Sequence, residues 1–208
     1  MKIAILGAGK VGMTLLSMLE GTNYDIVVVD KSKEVCDALA SESRAVLVCG
    51  DCTDPATLDG LRLADKDFVV AVSGEEEVNF LAAAYAKQAG ARRVIARSHS
   101  RKHAALLSKL GISGLIPEVT LAKELANQIM NPTISLMLNP GESNLELFEA
   151  DIPQKMNGKS VVEAIKDPGV SILALFDGEK FTLPKPADEL KAGTRAVAVS
   201  TTGKRSLQ

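Results

Sequence analysis

The stretch that most restricts how this chain can fold is its first, Lys2-Ile3-Ala4-Ile5-Leu6-Gly7-Ala8-Gly9-Lys10-Val11-Gly12. Its apolar run reads as a buried parallel strand. The Gly-x-Gly-x-x-Gly that follows opens a segment with helical spacing at Val11, Leu15, Leu16, Met18 and Leu19. Gly7 is expected to permit a sharp turn, Gly9 to let a pyrophosphate approach the backbone, and Gly12 to let the helix pack on the strand. A helix N-terminus there offers free N–H groups and partial positive charge to a phosphate. A second apolar run, Ile26-Val27-Val28-Val29, ends in Asp30, where an acidic side chain would accept both hydroxyls of an adenosine ribose.

The pattern then repeats with short connections. Ser32 caps a helix carrying Val35, Leu39 and Ala40. Ala45 to Val48 is a third strand, and Asp54-Pro55 reads as an N-cap followed by proline at the first helical position. Phe68 to Val72 is a fourth strand with Ser73-Gly74 as its turn. A helix opened by Glu75-Glu76-Glu77 runs to Gly90, and Arg93 to Ala96 is a fifth strand. A helix around Ala104 to Leu110 leads to a short sixth strand at Leu115-Ile116. Repeated strand–helix units with short loops imply a parallel sheet covered on both faces, a doubly wound Rossmann domain with strand order 3-2-1-4-5-6. A last helix after Pro117 carries Ala122, Leu125, Ala126, Ile129 and Met130 and stops at Asn131-Pro132. So apolar a face at a domain's end is expected to pack on a partner subunit.

From Thr133 the character changes, so the domains are expected to be 1–132 and 133–208. Pro140-Gly141 is a break, Leu145 to Ile152 a strand, and Val161 to Ile165 a short helix. Val170 to Phe176 and Lys180 to Leu183 flank Asp177-Gly178, a hairpin signal, and Arg195 to Ser200 is a closing strand. This second module reads as small and βαβ-like, an α+β domain.

Composition narrows the function. The 208 residues can bury roughly 70% of their unfolded surface. A strand beginning at Lys2 leaves no room for a signal peptide, and no apolar run approaches the ~18 residues of a membrane span, so a cytoplasmic placement is expected. A net charge of −2 with interspersed signs offers no basic stripe for nucleic acid. Three cysteines make no disulfide framework, which points to a reducing compartment. Cys49-x-x-Cys52 with His99 and His103 raises a zinc site. The sheet order holds the third and fifth strands more than ~10 Å apart, which argues against one shared metal; a redox pair is the other reading, but its usual thioredoxin-like context is absent, so Cys49 and Cys52 read as buried strand-end thiols. Glu75, Glu76 and Glu77 read as charges favouring the positive end of their helix. Lys10 sits where phosphate would lie, and Arg97 follows the fifth strand on the same sheet edge as the glycine loop. A small nicotinamide dehydrogenase would need an acid or base beside a substrate pocket. The histidines, His99 and His103, both fall in the nucleotide domain, so the nucleotide reads as sensed rather than consumed, and no enzyme activity is expected.

The opening MKIAILGAGKVG, Asp30, Gly50-Asp51-Cys52-Thr53-Asp54-Pro55, Ala71-Val72-Ser73-Gly74 with Asn79 beyond, and Ala96-Arg97 together resemble the regulatory subunits of bacterial and archaeal Trk/Ktr potassium-uptake systems, built on the RCK module. The resemblance covers essentially the whole chain. It implies a pyrophosphate loop at Gly7, Ala8, Gly9, Lys10 and Val11 and a ribose acid at Asp30. It implies adenine-side contacts at Asp51 and Cys52, a pocket edge at Ser73 and Gly74, and a basic contact at Arg97, with no catalytic or metal residue. Cys52 stands where the family commonly has a small residue. Lys10 stands where some members carry an arginine that favours ATP, so NAD(H) and ATP/ADP both stay open as ligand. Asp30 disfavours a 2′-phosphate by charge repulsion. The family further implies a dimer through the crossover helix, a ring, and a membrane-embedded potassium translocating subunit as partner.

Overall fold

The computed structural model describes residues 1–138, 144–167, 169–201 and 207. The expected Pro140-Gly141 break lies outside the described residues. Two compact units make up the chain, Met1–Ala122 and Lys123–Gln208.

The first unit alternates strand and helix: β1 (Lys2–Leu6), α1 (Lys10–Leu19), β2 (Asp25–Asp30), α2 (Lys33–Glu42), β3 (Val46–Cys49), α3 (Pro55–Gly60), β4 (Phe68–Ala71), α4 (Glu76–Gln88), β5 (Arg93–Arg97), α5 (Arg101–Lys109), β6 (Ser113–Leu115) and the first residues of α6 (Pro117–Met130). All six strands are parallel in the order β3-β2-β1-β4-β5-β6, the expected doubly wound sheet. The period of two in each strand builds two cores. Ile3, Ile5 and Val28 face Leu16 of α1 and Leu39 of α2, whereas Ala4, Leu6, Val27 and Val29 face Leu58 of α3 and Ala82, Ala83 and Ala86 of α4. The alanine run of α4 lets that helix lie close on the sheet.

Local signals set the ends of these elements. Ser32 Oγ accepts from Val35 N–H, and Asp54 accepts from Ala56 and Thr57 N–H with Pro55 at the first helical position. The sixth strand begins two residues earlier than expected and ends at Leu115. Its Gly114 faces α5 so closely that a Cβ would meet Ala104 Cα at 2.8 Å.

α6 buries none of its residues, and Leu121, Leu125, Ile129 and Met130 stand exposed along it. The division between the compact units falls inside this helix, ahead of the expected boundary after Pro132. Pro132 does end α6, but it also opens an unexpected helix, α7 (Pro132–Leu138). Proline lacks the N–H that a first helical residue leaves free, and Ser135 N–H bonds back to Asn131 O at 3.0 Å, so the same residue stops one helix and starts the next.

The second unit carries β7 (Glu146–Asp151), α8 (Val161–Ala164), β8 (Val170–Phe176), β9 (Phe181–Thr182) and β10 (Arg195–Ser200) in the order β7-β10-β8-β9. β10 is antiparallel to both β7 and β8. β7 and β8 therefore run the same way, and the β7–α8–β8 crossover is a βαβ unit split by the last strand. A reciprocal capping box between Ser160 and Glu163 holds the single turn of α8. Phe148, Ile152, Met156, Leu190, Ala196 and Ala198 form this unit's core.

Candidate functional site

In a parallel sheet every strand points the same way, so the segments following β1 to β5 meet at one edge. Gly7 to Lys10, Asp30, Asp51, Ser73 and Arg97 all lie there, with Asp30 opposite Cys49 in the ladder and Arg97 opposite Leu115.

The three motif glycines meet different demands. Gly7 has φ +103°, and a Cβ on it would sit 2.7 Å from Ser73 N. A Cβ on Gly12 would collide with the Gly7 carbonyl oxygen. Gly9 has an ordinary φ of −68°, and a Cβ there would meet nothing within 4 Å. Gly7 and Gly12 thus serve the fold, whereas Gly9 keeps a space open above the start of α1. That helix start has no side-chain cap, in contrast to α2, α3 and α5. Lys10 is exposed and Val11 half exposed, and the first N–H groups of a helix have no intrahelical partner.

Asp30 closes one side of this loop. Its Oδ2 accepts from Ala8 N–H at 2.7 Å and its Oδ1 from Ser32 N–H at 2.9 Å, each oxygen keeping a further lone pair. Asp51 is exposed and accepts from the Thr53 hydroxyl and N–H, which hold its carboxyl below the usual range. Cys52 is buried beneath the loop, its Sγ 4.0 Å from Val29 O. Burial first, then the charges of Asp30 and Asp51, push its thiol up to about 11. It is an inert neutral group. On the other side, buried Asn79 accepts from Ser73 N–H at 2.7 Å and donates to Ser73 O and Arg97 O, tying the Ser73-Gly74 turn to the end of β5.

The reading of the cysteines is corrected. Cys49 is an exposed residue disulfide-bonded to Cys36, not a buried thiol. The ladder sets Cys49 beside Asp30, and α2 begins three residues after Asp30, so its first turn carries Cys36 over the end of β3. Cys52 alone remains a free, buried thiol. No group able to hold a metal ion occurs among the described residues.

Two relationships at this edge were not legible from spacing. Lys31 Nζ pairs with Glu75 Oε1 at 3.0 Å, joining the turns after β2 and β4, the two strands that flank β1. Lys31 pKa is raised by that hydrogen bond and charge. The signal lay in their positions, each just past a strand beside the glycine turn. Glu76, read as a helix-end charge, instead accepts from Ser98 Oγ at 2.6 Å, His99 N–H at 2.6 Å and His103 Nδ1 at 2.8 Å. These donors, Ser98 foremost, pull its carboxyl down to about 2. His103 is thereby engaged as a structural partner.

The set fits an anionic ligand. Open space over Gly9 and an uncapped helix start supply donors, and Arg97 Nε is a buried donor with no acceptor among the described residues.

Residues 3–118 match the TrkA-N domain model. The chain belongs to the TrkA-N family. Its relatives include the Trk system potassium uptake protein TrkA homolog of Methanothermobacter thermautotrophicus, 28% identical over 197 residues, 94% of this chain and 91% of that protein. The Ktr system potassium uptake protein A of Vibrio alginolyticus is 26% identical over 204 residues, 95% of this chain and 91% of that one. This TrkA-N chain spans about half the length of other TrkA homologs that it matches. The GsuK channel bound to NAD shares its fold, with a TM-score of 0.51 and 20% identity over 97% of this chain and 36% of that one.

Proposed function

We propose that this TrkA-N chain is a nucleotide-sensing regulatory subunit, without enzymatic activity, that binds NAD(H) or ATP/ADP at the sheet edge and gates a membrane potassium translocating subunit of Trk/Ktr type. The observation that carries the reading is the open, uncapped start of α1 beside a glycine turn whose Ala8 N–H donates to the Asp30 carboxylate. Gly7 to Val11 hold the pyrophosphate and Asp30 the ribose hydroxyls. Asp51 and Cys52 border the adenine, Ser73 and Gly74 form the pocket edge, and Arg97 supplies a cation. The NAD-bound state of GsuK supports NAD(H) as ligand.

The exposed apolar run of α6 supports a dimer through that helix, and dimers assemble as a ring at the cytoplasmic face of the membrane, where the translocating partner lies. No helix among the described residues is long and apolar enough to cross a membrane, and in this reading the partner supplies the ion path. A nucleotide biases the ring by binding one of its conformations better; a tenfold preference per site is worth ~1.4 kcal/mol, and several sites add. The test is potassium flux through the translocating partner reconstituted with this subunit. Flux that changes with the bound nucleotide is expected, and identical flux with every nucleotide overturns the proposal.

A further inference from the structure

Cys36, on the first turn of α2, and Cys49, the last residue of β3, are joined with their Cα atoms 6.0 Å apart. The link closes a loop of sequence separation 13 immediately beside Asp30, which sits opposite Cys49 in the ladder. Asp30 O accepts from Gly50 N–H at 2.9 Å and lies 3.4 Å from Cys36 Sγ; Ser32 O lies 3.9 Å from Cys49 Sγ. If the bond opens, each thiol therefore has a carbonyl acceptor already in place, so one backbone accommodates both redox forms. Cys49 is exposed and Cys36 half-buried, so small thiols and disulfides can reach the pair. Cys52, the third cysteine, is buried and cannot compete.

We propose that Cys36 and Cys49 form a reversible redox couple whose disulfide staples the turn after β2 to the end of β3 and tightens nucleotide binding. The proposal rests on the nucleotide site of the preceding subsection. A disulfide next to a binding loop, in a chain placed in the cytoplasm, is of the transient, redox-sensing kind rather than a permanent staple. Formation needs a small disulfide RSSR as oxidant. The Cys49 thiolate attacks one of its sulfurs and releases one RS⁻; the Cys36 thiolate then attacks the Cys49 sulfur of the mixed disulfide and releases the second. The two cysteine protons end on two RSH, and RSSR is the species reduced. The effect on affinity follows from position. Asp30 and the Gly50-Asp51 turn flank the staple, and fixing both in advance removes freedom that a ligand would otherwise have to remove.

The full chain is equilibrated in oxidised or in reduced glutathione, mapped by mass spectrometry for the Cys36–Cys49 linked peptide, and titrated calorimetrically with NADH and with ATP. The linked peptide is expected in oxidised buffer and not in reduced. Whichever nucleotide binds is expected to do so about threefold or more tightly to the oxidised form. C36S, and independently C49S, should hold the reduced-form affinity in both buffers. Absence of the linked peptide, or equal affinity in the two forms, overturns the redox coupling alone. Binding of neither nucleotide to either form overturns the nucleotide site together with it.

Discussion

Asp30 and Ala8 are joined by a 2.7 Å hydrogen bond from the Ala8 backbone N–H to Asp30 Oδ2, which ties the end of β2 to the glycine turn after β1. The acid thus shapes the turn while each of its oxygens keeps a further lone pair. Asp30→Asn keeps one acceptor oxygen, for Ala8 N–H or for Ser32 N–H, turns its amide NH2 toward the other, and loses the charge. It should lower stability by about 1–3 kcal/mol, and affinity for a nucleotide with free ribose hydroxyls, measured below its unfolding range, should fall roughly ten- to a hundredfold, the ~1.5–3 kcal/mol of a charge-assisted hydrogen bond. Discrimination against NADPH should narrow in the same titration. Unchanged affinity would remove Asp30 from the ribose.

Gly9 and Gly12 should separate binding from folding. Gly12→Ala drives a Cβ into the Gly7 carbonyl and should cost about 3 kcal/mol in urea unfolding. Gly9→Ala meets nothing in the protein and should leave stability within ~0.5 kcal/mol while filling the space reserved for phosphate. Nucleotide binding by Gly9→Ala at parental strength would show that this space is not used.

The sheet was legible because each of β1 to β5 holds an apolar run bounded by a cap, a glycine or a proline, and the glycine motif marks the first strand; β6, Ser113-Gly114-Leu115, has no such run and was placed too late. The Asp30 side of the site follows directly. What spacing could not show are contacts between residues brought together only by the ladder and a helix path. Cys36 sits on a helix and Cys49 on a strand; only the β2–β3 register and the short turn into α2 make them neighbours. Lys31–Glu75 bridges two turns and Glu76–His103 the first turns of α4 and α5, again between segments distant in sequence. α7 was hidden because Pro132 is a stop signal and a start signal at once.

Glu76 gives a pH signature. Its folded pKa, down to about 2 from an ordinary 4.5, means that its stabilisation is complete above pH ~4.5 and is lost as pH falls toward 2. Glu76→Gln should therefore be less stable than the parent at neutral pH, and the two urea midpoints should converge on acidification through that window. A gap that stays constant down to pH 2.5 would contradict the assignment.

Leu125 and Ile129 lie exposed on α6, one helical turn apart. Leu125→Asp with Ile129→Asp should shift the sedimentation coefficient from dimer or larger to monomer without lowering the unfolding midpoint of the Met1–Ala122 unit. Retention of the parental oligomer would place the subunit contact elsewhere.

Nucleotide recognition at the Gly9–Asp30 edge is tested most directly by a thermal-shift panel of the full chain with NADH, NAD, ATP, ADP and NADPH, run beside Gly9→Ala. A ligand at a hundred times its dissociation constant adds ~2.7 kcal/mol, which for a chain of this size moves the midpoint by roughly 5–10 °C. The predicted result is a shift with NADH or ATP, a weak one or none with NADPH, and loss of the shift in Gly9→Ala. No shift with any of the five, or the same shift in Gly9→Ala, would contradict it.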